Sequence, residues 1–205
     1  MNSRRLTVVN AGLSVPSSTR LLADRLSTAA AERLQEQGID AQIDVIELRP
    51  LAHDLADNVL TGFPNAKLRS AVDAVVAADG LIAVTPIFRG SYSGLFKSFV
   101  DVLEPGAMQG KPVLIGATAG TARHSLALDH ALRPLFTYLR SVVVPTGVFA
   151  APEDWAGADA AGRSLAERIR RAADELAGLM TARPAPKPTD PFADVIPFEQ
   201  LLRGQ

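Results

Sequence analysis

The chain reads as an open α/β domain in which helices cover both faces of a parallel sheet. Two observations carry this. Short apolar runs, of a length suited to buried strands, alternate with longer segments whose apolar residues recur every three or four positions. Three of the runs, ending near Ala11, Thr85 and Thr118, give way to loops rich in small hydroxyl residues and glycine. Alternation of this kind implies right-handed crossovers and therefore parallel strands, five in number here.

Residues 6–11 form the first buried strand. Residues 18–37 follow as a helix, with Leu22, Leu26, Ala29, Ala30 and Leu34 on one face and Gly38 as its stop. Residues 41–48 alternate loosely, as a strand nearer the sheet edge does. Residues 65–77 are helical, 80–85 a strand, 94–103 a helix and 112–118 a strand. Residues 125–140 are helical, with Leu128, Leu132, Leu135 and Leu139 spaced four, three and four apart. Residues 141–149 form the last strand, and Pro145 inside it points to an edge position. Residues 159–182 close the domain as a long helix. Residues 1–182 thus read as one domain. Beyond it, Pro184, Pro186, Pro188 and Pro191 make a stiff linker. Residues 183–205 end in a short arm carrying Phe192, Val195, Ile196, Phe198, Leu201 and Leu202, whose apolar character favours docking on this subunit or a neighbour.

Composition removes several function classes. The chain has 205 residues, is 47% apolar and carries a formal net charge of −1. That balance offers no basic surface for nucleic acid and no charge asymmetry of the kind that steers an acidic electron carrier. Cysteine is absent, which removes disulfides, thiolate metal sites and a cysteine nucleophile. His53, His124 and His130 are scattered without zinc-ligand spacing, so no metal site is expected. The first residues lack a signal-like apolar run. No stretch approaches the roughly 18 apolar residues of a membrane span. A cytoplasmic protein without a membrane partner is expected.

The chemistry concentrates in three loops that the topology puts at the carboxyl edge of the sheet, where open α/β sheets bind ligands. The first holds Ser14, Ser17, Ser18 and Thr19 at the start of a helix. Helix N-termini present unpaired N–H groups to anions, and Arg20 adds charge. One N-cap needs one hydroxyl, so four in six positions favour a phosphate. The second loop holds Pro86, Ile87, Phe88, Arg89, Gly90 and Ser91, offering apolar contact and close backbone approach to a flat ring. The third holds Thr118, Ala119, Gly120 and Thr121, with His124 after it either facing the site or capping a helix start. A flat, phosphate-bearing ligand suits all three, and flavin mononucleotide (FMN) is the reading. Competing motifs fail. No G-x-G-x-x-G follows the first strand. Residues 90–94 place Tyr92 where a nucleophile elbow needs serine. Gly110-Lys111-Pro112 lacks the Ser/Thr of a P-loop and precedes its strand.

These motifs resemble the NAD(P)H-dependent FMN reductase family of flavodoxin-like fold, closest to the flavin reductases of two-component monooxygenase systems. T-P-x-x-x-x-S-Y-S-G-x-x-K spans residues 85–97, A-T-x-G-T-x-x-H spans 117–124 and D-x-A-L-x-P spans 129–134. The likeness covers residues 7–150. It implies a three-layer sandwich with strand order 2-1-3-4-5, and hydride transfer from NAD(P)H to FMN giving FMNH2, with no catalytic side chain. It also implies a homodimer or homotetramer and a flavin-dependent monooxygenase as partner. Rival readings of the same site are a quinone, azo-dye or metal-ion reductase with fixed FMN, or a non-catalytic flavodoxin-like carrier. The first loop departs from the family's G-S-x-R-x-x-S-x-(N/T): Ser17 and Thr19 fit its end, but its arginine has no counterpart. Some members carry a tyrosine at the position of His130, in a helix at a subunit interface, so His130 is expected near a twofold interface. Pro134 lacks the N–H that would bond the His130 carbonyl, which favours a kink or π-type turn there.

Overall fold

The computed structural model describes residues 2–155 and 164–182. The apolar arm and the start of the expected last helix lie outside the described residues. In chain order the elements are β1 (Asn2–Asn10), α1 (Ser18–Glu36), β2 (Ile39–Glu47), α2 (Ala52–Thr61), α3 (Ala66–Ala77), β3 (Gly80–Phe88), β4 (Ser91–Tyr92), α4 (Gly94–Asp101), β5 (Pro112–Thr118), a π-turn (Leu128–Leu132), α5 (Arg133–Tyr138), β6 (Val142–Val143), β7 (Val148–Ala150) and α6 (Leu165–Ala182).

The sheet runs β2-β1-β3-β5-β6, with β7 also on β5 and β4 folded antiparallel onto β3. All other pairings are parallel. This is the flavodoxin-like order, with its fifth strand in two pieces. Pro145 explains the break. Val144 N–H still reaches Val113 O at 2.9 Å. Pro145 has no N–H to give, and Thr146 N–H turns away to Glu175 Oε2 at 2.7 Å. A carboxylate on α6 thus replaces the missing sheet partner.

Central strands are apolar on both sides, as strands buried between two helical layers must be. Leu81 and Ala83 of β3 and Val113, Ile115 and Ala117 of β5 face α3, α4 and α5. Ile82, Val84 and Leu114 face α1 and α6. Lys111 is almost fully buried, and its Nζ donates to the carbonyls of Val75, Val76 and Ala78 at 2.8, 3.0 and 2.6 Å. The lysine of the false P-loop therefore caps the C-terminus of α3, where a cation is favoured.

Residues 125–140 are not one α-helix. Arg133 N–H bonds Leu128 O, a five-residue step that makes the turn before Pro134 a π-turn. Of the two consequences of Pro134 that the sequence allows, a kink or a π-type turn, the chain takes the second. Arg133 fastens the turn, pairing with Asp129 at 3.0 Å and donating to the carbonyls of Val144 and Pro145 at 2.9 Å each. His130 is exposed on the isolated chain. One helix, α2, has no counterpart among the elements the sequence predicts. It buries only Leu55, which leaves little apolar periodicity to read.

Candidate active site

The loops after β1, β3 and β5 converge on one cleft of about 470 Å3. That lies within the roughly 300–1,000 Å3 usual for cofactor sites. Ser14, Ser18 and Thr19 line it from the first loop, Pro86, Ile87 and Phe88 from the second, and Thr118, Ala119 and Gly120 from the third. Leu13, Pro152 and Trp155 complete the wall. The last two come from the segment after β7, where no motif marked them.

The first loop is built backward from its polar groups. Buried Asn10 accepts Gly12 N–H on its Oδ1 at 3.0 Å. A Cβ on Gly12 would lie 2.2 Å from Ser17 Oγ, so the turn needs glycine. Ser17 is the N-cap of α1, its Oγ accepting Arg20 N–H at 3.2 Å. Thr19 is buried, and its Oγ1 lies 2.7 Å from Thr118 Oγ1. The four hydroxyls therefore divide. One caps the helix and one ties loop to loop. Ser14 and Ser18 stay exposed at the helix N-terminus, and neither hydroxyl bonds another described residue. Arg20 does not serve the loop as the sequence implied. Its guanidinium is held by Asp24 at 2.7 Å and by Glu47. The Asp24 hydrogen bond, aided by both carboxylates' charge and opposed by burial, keeps its pKa above the ordinary value.

The second loop proves to be a hairpin. β3 runs through Pro86 to Phe88 and turns back at Arg89 and Gly90, with φ of +53° and +84°. Two consecutive positive φ values match the twist of paired strands in a tight hairpin. Ser91 pairs with Phe88 across it. Arg89, Gly90 and Ser91 thus build the turn and do not line the cleft. Thr85 locks the hairpin's return: its Oγ1 accepts Ser93 N–H at 3.1 Å, and Ser93 caps α4. In the third loop Thr121 caps a short turn at residues 122–124, away from the cleft wall, and His124 is exposed in that turn.

The donor set fits FMN. Two free hydroxyls at a helix N-terminus suit a phosphate. Pro86, Ile87 and Ala119 give a flat ring apolar contact, and a Cβ on Gly120 would meet nothing within 4 Å, so the backbone there is open to approach.

The family model described as NADPH-dependent FMN reductase matches residues 4–156. The chain belongs to this family. It is therefore an oxidoreductase of the flavodoxin-like type that works with NAD(P)H and FMN. It is 37% identical to the FMN reductase (NADPH) of Pseudomonas aeruginosa over 87% of this chain and 94% of that one. It is 36% identical to the NADH-dependent FMN reductase SfnF of Pseudomonas fluorescens, over 86% of this chain and 93% of that one. Among solved structures, an oxidoreductase from Corynebacterium diphtheriae aligns with a TM-score of 0.85 and 48% identity, covering 90% of this chain and all of that one. The apo form of the NADH:FMN oxidoreductase EmoB aligns at 0.75 and 32%, covering 89% and 92%.

Proposed function

We propose that the cleft binds FMN, that NAD(P)H reduces it there, and that reduced FMN leaves to serve a flavin-dependent monooxygenase. The observation that carries the binding mode is the pair of uncommitted hydroxyls, Ser14 and Ser18, at the amino end of the 19-residue α1. The phosphate sits on these groups and the first-turn N–H groups of α1, whose partial positive charge favours an anion. The ring lies between Pro86–Phe88 and Thr118–Gly120, with the remaining predicted residues shaping the loops behind it. FMN, once bound, supplies the hydride-accepting chemistry. The protein supplies position and electrostatics.

The monooxygenase partner rests on the resemblance to flavin-supplying reductases. A cytoplasmic location follows from the need for an NAD(P)H pool. We also read a homodimer or homotetramer in which neighbouring subunits help to complete the cleft, with His130 near a twofold interface. Leu60, Phe63 and Tyr138 are more than 80% exposed on the isolated chain, and large apolar groups in that state favour a covering partner.

The test is oxidation of NADH and of NADPH by apoprotein, with and without free FMN. Oxidation that saturates in FMN, on protein that desalts colourless, supports flavin as a released substrate. Protein that stays yellow and turns over only with a quinone or azo dye overturns the supply role in favour of fixed FMN.

A further inference from the structure

Trp155 is the single tryptophan of the chain. It lines the cleft, yet it lies far along the sequence from all three loops. Two devices hold it. The turn Pro152–Trp155 carries Asp154, whose carboxylate accepts Ala151 N–H at 2.8 Å and pairs with the Arg168 guanidinium. Arg168 also donates to Phe149 O at 2.7 Å, so the turn is fastened to both β7 and α6. The second device is Arg25, whose guanidinium carbon stands 5.0 Å from the centre of the Trp155 ring. That is within cation–π range, about 6 Å.

Arg25 faces the groove between α1 and α6, not the cleft. The guanidinium therefore meets the indole from outside the set of residues that line the cleft. Arg25 lies seven positions after Ser18 on α1, on the same helix face. Among the described residues it forms no ion pair, whereas Arg20 is neutralised by Asp24 and Glu47. No lysine or arginine occurs from Asn10 to Thr19. The first loop alone thus offers a phosphate only neutral donors and the helix terminus.

We propose that Trp155 is a binding residue for the phosphate-bearing arm of FMN. Arg25, seated on the indole, is a positioning residue whose charge compensates the phosphate. The proposal rests on the FMN reading of the cleft. The indole packs against the ribityl chain beside Ser18. The guanidinium keeps the indole in place and lends positive potential beside it.

Apoprotein is titrated with FMN and with riboflavin, which lacks the phosphate, following flavin fluorescence. Trp155→Ala is expected to weaken FMN binding about tenfold, and Trp155→Phe to restore most of it, because packing area is what the arm uses. Arg25→Met keeps the stem and removes the charge. It is expected to narrow the preference for FMN over riboflavin about threefold. A merely structural role would lower the unfolding midpoint and leave that preference unchanged. Wild-type affinity for FMN in folded Trp155→Ala overturns the binding role, and an unchanged FMN-to-riboflavin ratio in Arg25→Met overturns the charge role. If Trp155→Ala does not fold, Trp155→Leu, which keeps apolar bulk and loses the flat face, takes its place: wild-type FMN affinity in it overturns the binding role, as an unchanged ratio in Arg25→Met overturns the charge role. Failure of the wild-type protein to bind FMN is a separate result, which overturns the reading of the cleft itself.

Discussion

Thr19 Oγ1 and Thr118 Oγ1 lie 2.7 Å apart, both side chains buried, and join the first turn of α1 to the end of β5. Two of the three cleft loops are stapled by this bond before any ligand arrives. Thr118→Val leaves the Thr19 hydroxyl buried without a partner, which costs about 1–3 kcal/mol. The double change to valine is expected to cost less than the sum of the single changes, since it leaves no orphaned hydroxyl. Urea unfolding of the four proteins in the cycle measures the coupling, and strict additivity would remove the staple.

Ser17 and Ser18 are neighbours with opposite assignments. Ser17→Ala removes the cap of α1 and is expected to cost about 1 kcal/mol of stability. Ser18→Ala is expected to leave the unfolding midpoint unchanged and to weaken FMN by roughly tenfold or more, the loss of a hydrogen bond to a charged group. Thermal unfolding and FMN titration on both variants read the two effects separately. Equal effects of the two changes on FMN would contradict the division of labour.

Lys111→Met strips a charged donor from three carbonyls at the end of α3. The expected loss is about 3 kcal/mol, from charged hydrogen bonds and orphaned acceptors in a buried place. The site lies at the amino edge of the sheet, so FMN affinity of the folded variant is expected to stay at the wild-type value. A denaturant midpoint close to wild type would show that water replaces the ammonium.

Lys97 and Asp101 pair at 2.6 Å across one turn of α4. The Asp101 hydrogen bond, with a smaller contribution from its charge and against partial desolvation, raises the Lys97 pKa above 10.5. A lysine raised on folding adds stability that is fully present below its ordinary value and fades as pH climbs through the raised one. The difference in unfolding midpoint between wild type and Lys97→Met is therefore expected to be flat at neutral pH and to shrink above pH 10.5. The pair is half-exposed, so the effect is small and falls further in salt. A difference that grows with pH would reverse the assignment.

The sequence by itself determined the alternation of strands and helices, the carboxyl-edge loops and a break in the regular helix before Pro134. Each is written in residues close together in the chain: the spacing of Leu22, Leu26, Ala30 and Leu34, the hydroxyls and glycines after the apolar runs, the missing N–H of proline. Only the tertiary structure decided which of four hydroxyls stay free, because the partner of Thr19 lies 99 positions away. It likewise decided that Arg20 is neutralised by Glu47 on β2, that Lys111 caps α3, and that Trp155 lines the cleft in contact with Arg25 of α1. Periodicity and capping act over a few residues, whereas these partners are brought together by crossovers, whose side-chain pairings leave no local pattern to read.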